Sequence, residues 1–110
     1  LKPDYEVSTT SIQDFHFGEM TTSYQYDDVD DNIQYMQEML KALGYPVERQ
    51  DGYFSKQTTK ALQAFEKDYH LTQDGVYSTN DRFILLSALT YHLYQEKEDA
   101  YLQKMNQLIQ

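Results

Sequence analysis

Apolar residues recur at helical spacing in three separate stretches of the chain. The first stretch carries Ile33, Met36, Leu40 and Leu43 at intervals of three and four residues. This spacing places apolar side chains on one face of an α-helix. Asp30, Asp31 and Asn32 offer capping oxygens before it, and Gly44 is a natural stop after it. We predict a helix between these two signals.

Two further helices follow from the same pattern. The second is predicted from near Ser55 to about Tyr69, with its apolar face formed by Ala61, Leu62, Phe65 and Tyr69. The third begins near Ser78, because Ser78-Thr79-Asn80-Asp81 resembles a capping box with Asp in place of Glu. Its apolar stripe is broad and consists of Ile84, Leu85, Ala88, Leu89 and Leu93. We place a break in the polar run 95–99, with an extra C-terminal helix after it.

Two Asp-Gly turns precede the second and third helices. They are Asp51-Gly52-Tyr53-Phe54-Ser55 and Asp74-Gly75-Val76-Tyr77-Ser78. Glycine adopts positive φ without steric cost, and aspartate bonds back to nearby amides. The serine that ends each motif can cap the helix that follows. The chain is therefore predicted to use one turn-then-helix device twice.

Composition disfavours nucleic-acid binding and draws attention to tyrosine. The chain has 18 acidic and 9 basic side chains, a formal net charge of −9, and no cysteine. This balance argues against binding a nucleic-acid backbone. Tyrosine is abundant, at 11 of 110 residues, and its flat apolar face and hydroxyl suit sugar rings as well as a small core.

No catalytic group, metal-ligand set or cofactor is predicted. His16, His70 and His92 are scattered, without the spacing of a zinc motif. An EF-hand loop started at Asp28 would place Ile33 at the position that requires glycine, so the acidic run 27–31 is interpreted as a helix cap. No G-x-S-x-G motif is present.

Residues 1–28 show no sustained period and are predicted to be a connecting arm. Because the chain begins at Leu1, we expect it to be a piece of a longer protein. Two interpretations of the arm stay open, docking on a neighbour or a disordered tail. The aromatic residues that would dock are Tyr5, Phe15, Phe17, Tyr24 and Tyr26.

The three helical stretches together resemble the peptidoglycan-binding domain of the three-helix, PGBD-like type. The residues that carry the resemblance are Ile33-Gln34-Tyr35-Met36 with Leu43-Gly44-Tyr45, then Asp51-Gly52-Tyr53-Phe54 with Thr58, Ala61, Leu62 and Phe65, and finally Leu71, Asp74-Gly75-Val76 and Leu85. The family has Gly, Gly, Gln, Gly and Thr where this chain has Ser55, Ser78, Glu66, His70 and Asp81. The resemblance covers roughly residues 29–93. It implies an all-α fold, with a small three-helix bundle over residues 29–94 and a helical tail over 95–110.

The two ends of the chain are similar to carboxy-terminal processing serine peptidases. Leu1-Lys2-Pro3-Asp4-Tyr5-Glu6-Val7 resembles the end of their protease domain, and Asp99-Ala100-Tyr101-Leu102 resembles their C-terminus. The resemblance implies a non-catalytic module in an exported or membrane-anchored protease whose Ser–Lys dyad lies outside these residues. The expected location is extracytoplasmic, at the cell wall or membrane.

The expected partners are peptidoglycan and the protein's own protease domain. Around the two turns, the residues expected to contact the ligand are Tyr53, Phe54, Gln57 and Tyr77. The alternative is an interaction or homodimerisation brace for the protease, without affinity for glycan. A free-standing wall hydrolase is disfavoured, since no catalytic constellation is visible.

Overall fold

Three helices make up the fold, as the apolar periodicity predicts. The computed structural model describes residue 20 and residues 22–109. The helices are α1 (Asp31–Ala42), α2 (Lys56–Asp68) and α3 (Thr79–Ile109). α1 packs against both α2 and α3. In the described part of the chain, extended pairing is confined to two isolated antiparallel bridges, so the all-α, three-helix prediction is confirmed.

The acidic run before α1 is a turn and a helix cap. The Asp30 carboxylate accepts from the backbone N–H of Asn32 at 2.8 Å. The Asp28 carboxylate accepts from the backbone N–H of Gln25 at 2.9 Å. These two carboxylates therefore satisfy local amides, as the cap interpretation predicts.

Serine caps begin α2 and α3. The Ser55 hydroxyl accepts from the Thr58 N–H at 3.1 Å. At α3, the Ser78 hydroxyl accepts from the Asp81 N–H at 3.1 Å, and the Asp81 carboxylate accepts from the Ser78 N–H at 3.3 Å. The reciprocal pair is a capping box with Asp in the place of Glu, and it confirms the predicted start of α3.

The core lies between the apolar faces of the three helices. Its fully buried side chains come from every helix and from both Asp-Gly motifs: Ile33, Met36, Met39, Leu40, Phe54, Leu62, Phe65, Tyr77, Leu85 and Leu89. Burying an aromatic or large aliphatic side chain of this kind contributes about 1.5–3 kcal/mol. The Asp-Gly motifs are therefore parts of the core as well as connections.

The segment before α1 pairs with both Asp-Gly motifs. Tyr24 exchanges two backbone hydrogen bonds with Tyr77, at 2.8 and 3.0 Å. The N–H of Asp27 donates to the carbonyl of Phe54 at 2.9 Å. The last part of the predicted arm 1–28 is thus an integral part of the domain.

The two described aromatic residues of the predicted arm differ in burial. Tyr24 packs against the core, whereas Tyr26 is 46% exposed. Met20, which the apolar pattern did not single out, is buried in the core. The predictions for Tyr5, Phe15 and Phe17 lie outside the described residues.

The predicted break in the polar run 95–99 is wrong, because α3 continues through it to Ile109. The run contains no Gly or Pro, and Gln, Glu and Lys are good helix formers. His92 also pairs with Glu96 at 3.2 Å, one turn apart. The tail is helical as predicted, but it belongs to α3. None of the described helices combines the length and apolar character needed to cross a membrane.

Candidate functional site

The first Asp-Gly turn is held by a buried glutamine on α1. The Gly52 N–H donates to Gln37 Oε1 at 2.9 Å. Gln37 Nε2 donates in turn to the Tyr53 carbonyl at 2.8 Å and to Thr58 Oγ1 at 3.0 Å. Asp51 closes the turn by accepting from the Tyr53 N–H at 3.1 Å. One side-chain amide thus joins α1, the turn and the start of α2.

The second turn repeats this arrangement with a glutamate. The Gly75 N–H donates to Glu66 Oε1 at 3.0 Å, and Asp74 accepts from the Val76 N–H at 3.0 Å. Glu66 lies on α2, one helix further along the chain than Gln37 on α1. The predicted duplication of the turn-then-helix device is therefore a structural repeat that includes the preceding helix.

The four residues predicted to contact a ligand fall into two pairs. Phe54 and Tyr77 are 0% and 1% exposed, so their side chains support the turns from the core and present no surface to a ligand. Tyr53 is 37% exposed and Gln57 is half-buried. The positions differ because a side chain's direction alternates along an extended segment, so neighbouring aromatics point to opposite faces.

Tyr53 and Gln57 line a shallow surface depression beside the first turn. It has a volume of about 270 Å³ and is formed by Glu48, Arg49, Asp51, Tyr53, Ser55 and Gln57. Gln57 Oε1 accepts from the Glu48 N–H at 2.9 Å, which fixes the wall of the depression. The lining offers one aromatic ring, an amide and charges of both signs, a combination that suits a polar ligand with an apolar face.

The Tyr53 ring is anchored at its hydroxyl. That hydroxyl donates to Asp27 Oδ1 at 3.0 Å, and this hydrogen bond raises the pKa of Tyr53 to about 12. This hydrogen bond restrains the ring, which lines the depression beside the first turn, as a stacking platform requires.

Sequence reasoning did not identify Asp27, Glu48 or Arg49 as part of this surface. Glu48 and Arg49 lie just before the first turn, and their charge beside an Asp-Gly motif was the available signal. Asp27 lies in the predicted arm, and only the pairing of that segment with the turn brings its carboxylate to Tyr53.

Three carboxylates converge behind the second turn. One oxygen each from Glu66, Asp74 and Asp81 lies within 4.8 Å of the other two. Glu66 and Asp81 are buried, at 0% and 5% exposure, while Asp74 is exposed. Burial, reinforced by the neighbouring Asp81, raises the pKa of Glu66 to about 9. In the described residues no other group of three acidic or histidine side chains converges in this way.

Comparison with known proteins identifies the domain. Residues 29–80 match the profile of a family described as "Putative peptidoglycan binding domain". The crystal structure of the SleB N-terminal domain superposes with a TM-score of 0.62 and 24% identity, covering 66% of this chain and 99% of that one. At this identity the superposition shows the fold alone.

The relatives of this chain include proteins named as proteases. A "Probable CtpA-like serine protease" of Staphylococcus epidermidis is 32% identical over 85 residues, which are 76% of this chain and 17% of that protein. "Carboxy-terminal processing protease CtpB" of Bacillus subtilis is 34% identical over 73 residues, 66% of this chain and 15% of that protein. The chain thus spans less than a fifth of these relatives. The match over residues 29–80, and the three-helix fold with paired Asp-Gly turns that α3 completes, identify a PGBD-like domain of the peptidoglycan-binding family.

Proposed function

We propose that this domain binds peptidoglycan and positions a carboxy-terminal processing serine protease at the cell wall. The family match over residues 29–80 carries this proposal. The protease relatives support the second half of the proposal. Their similarity to this chain covers only a small part of their length, which leaves room in each of them for a separate protease domain. The proposed protease would be exported, and its Ser–Lys dyad would lie outside residues 1–110.

The depression beside the first turn is the proposed contact surface. Tyr53 offers a ring whose hydroxyl is already hydrogen-bonded, so stacking on a sugar requires little ordering of that side chain. Gln57 and Arg49 add polar groups at the same surface. Phe54 and Tyr77 act from the core, by fixing the turns beneath it.

Sedimentation with purified, insoluble peptidoglycan sacculi tests the proposal. The unchanged chain should appear in the pellet, and Tyr53→Ala should weaken its binding by about 10-fold, as expected for losing one stacked aromatic. Tyr91→Ala removes an exposed tyrosine from α3, far along the chain from the turns, and should leave binding unchanged. A chain that remains in the supernatant at every sacculus concentration would refute glycan binding.

An aromatic stripe on α3 favours a second candidate function, a brace against the protease domain. Phe83, Tyr91 and Tyr94 are 63%, 65% and 68% exposed on one helix. Together with Leu86, Ser87 and Thr90 they line a shallow groove of about 510 Å³. Exposed apolar patches of this kind commonly mark protein–protein contacts.

Size-exclusion chromatography separates the two candidates. Under the brace hypothesis, the chain co-elutes with a separately produced protease domain, and replacing Tyr91 and Tyr94 by Ser abolishes co-elution without changing sacculus sedimentation. A dimer of the unchanged chain that the same replacement converts to a monomer would assign the stripe to homodimerisation. A chain that elutes as a monomer and does not co-elute with the protease domain would exclude the brace hypothesis.

A further inference from the structure

The converging carboxylates of Glu66, Asp74 and Asp81 are each oriented by a backbone amide. Glu66 accepts from Gly75 at 3.0 Å, Asp74 from Val76 at 3.0 Å, and Asp81 from Ser78 at 3.3 Å. All three amides belong to the second Asp-Gly motif. The motif therefore gathers one carboxylate from α2, one from the turn and one from the first turn of α3.

Glu66 has a buried oxygen without a partner. Its Oε1 accepts from Gly75, but Oε2 is fully buried and has no hydrogen bond. A buried, unpaired acceptor costs about 1–3 kcal/mol, and more when the group is charged. Oε2 lies in the cluster with the carboxylates of Asp74 and Asp81, which are acceptors as well.

The first structural repeat shows what is missing in the second. There, the amide nitrogen of Gln37 donates to the hydroxyl of Thr58, so the buried polar pair is satisfied. In the second repeat Glu66 takes the place of the amide and Asp81 takes the place of the threonine. Both are positions where this chain departs from the family pattern. Two acceptors now face each other, and either a shared proton or a cation between them would satisfy both.

The spacing and chemistry of the cluster suit a calcium ion. Ca²⁺ binds carboxylate oxygens at about 2.3–2.6 Å, so two ligands on opposite sides are up to about 5 Å apart. The ligand oxygens here lie within 4.8 Å of one another. Asp74 is exposed, which leaves a side open for entry and for water ligands.

We propose that Glu66, Asp74 and Asp81 form a calcium site that ties α2 to the second Asp-Gly turn and to the start of α3. The bound ion supplies the charge that the second repeat lacks. The ion connects two helices and a turn. It therefore stabilises the folded domain by an amount that grows with the calcium concentration relative to the Kd. The site lies at the second turn and is separate from the depression at the first.

Calcium titration of the metal-stripped 110-residue chain tests this proposal. Isothermal titration calorimetry with CaCl₂ should give one site, with a Kd on the order of 10⁻⁴–10⁻³ M, as in other extracellular modules. Thermal denaturation in about 5 mM CaCl₂ should raise the Tm by several degrees over the same chain in EDTA. MgCl₂ should raise it less, because Mg²⁺ demands near-ideal octahedral geometry.

Two variants that each replace a glutamate by glutamine test whether the calcium response depends on the proposed site. Glu66→Gln restores the amide that Gln37 provides in the first repeat, so it should fold in EDTA, at least as stably as the unchanged chain, and lose the calcium response. Glu98→Gln removes a carboxylate from an exposed position on α3 and should keep the full response. Equal calcium responses in Glu66→Gln and the unchanged chain would overturn the proposal.

Absence of any calcium heat or Tm shift in the unchanged chain would also overturn it. A proton shared between Glu66 and Asp81 would then fill the role proposed for the ion. Sacculus sedimentation in EDTA is a separate readout, so either proposal can fail without the other.

Discussion

His70 follows α2 in a backbone conformation that favours glycine. Its φ is 58°, in the left-handed region. Its N–H donates to the carbonyl of Lys67 at 3.2 Å, and that of Leu71 donates to the carbonyl of Glu66 at 2.7 Å. These two bonds form the same C-terminal motif that ends α1, where Gly44 has a φ of 96°. α2 therefore ends with a histidine in a strained position.

We expect His70→Gly to stabilise the domain. A non-glycine residue in this region of φ lowers the stability of the folded domain by about 1 kcal/mol. Glycine removes this strain, and its greater entropy in the unfolded chain offsets part of the gain. The free energy of unfolding, measured with urea, should rise by about 0.5–1 kcal/mol. His92→Gly is the control, since it places glycine inside α3 and should lower the value by about 1 kcal/mol. A lower urea midpoint for His70→Gly would show that the imidazole makes stabilising contacts.

Two glycines with positive φ differ in the space around them. A Cβ added at Gly75 would lie 2.8 Å from Thr59 Cγ2, whereas one added at Gly44 would meet nothing within 4 Å. Their φ values are 68° and 96°. The pair therefore separates the cost of the backbone conformation from the cost of a clash.

Gly75→Ala should destabilise the domain more than Gly44→Ala. The conformational cost alone is about 1 kcal/mol for Gly44→Ala. The clash with Thr59 adds overpacking, typically about 1–3 kcal/mol, for Gly75→Ala. Urea unfolding of both variants measures the difference. Equal losses would indicate that the Thr59 side chain moves aside at no cost.

At the scale of the element, α3 lies in two different environments. Its first half carries the buried residues Leu85, Ala88, Leu89 and Leu93. Beyond Leu93, every residue whose burial is described is half-buried or exposed. The second half therefore forms as a continuation of a helix that the first half anchors, because propagation is easier than nucleation.

Ending the chain after Tyr94 should leave the domain folded. Since none of the removed residues whose burial the structure describes is a buried core residue, we expect the free energy of unfolding to change by less than about 1 kcal/mol. The slope of the unfolding free energy against urea concentration should decrease only slightly, because little buried surface is lost. Circular dichroism should show the loss of helical signal from the removed segment. A large loss of stability would mean that the tail packs on the domain, and would argue against a domain boundary near residue 94.

At the scale of the whole molecule, charge opposes an electrostatic mode of wall binding. The chain carries a formal net charge of −9, and wall polymers are largely anionic. Long-range repulsion is screened within about 10 Å at 0.1 M salt. Under the proposed function, affinity must then come from the aromatic and amide groups around the first turn.

Binding to sacculi should therefore strengthen as salt screens this repulsion. Raising NaCl from about 0.05 M to about 0.3 M shortens the screening length roughly 2.5-fold, and the bound fraction in sedimentation should rise. Arg49→Gln should leave that trend in place. A steep fall in binding with salt, abolished by Arg49→Gln, would instead identify this arginine as the main anchor on an anionic group.

The sequence by itself determined the three helices, their caps and the two Asp-Gly turns, because these depend on periodicity and hydrogen bonds within a few residues. Only the tertiary structure decided that Phe54 and Tyr77 are buried while Tyr53 is exposed, and that the segment at Tyr24 pairs with the second turn. It also showed that α3 continues through the polar run 95–99. Glu66 is the clearest case: the sequence showed an acid in place of the usual glutamine, but packing brought Asp74 and Asp81 to it. Side chains distant in sequence meet only through the packing of the whole domain, which no local pattern specifies.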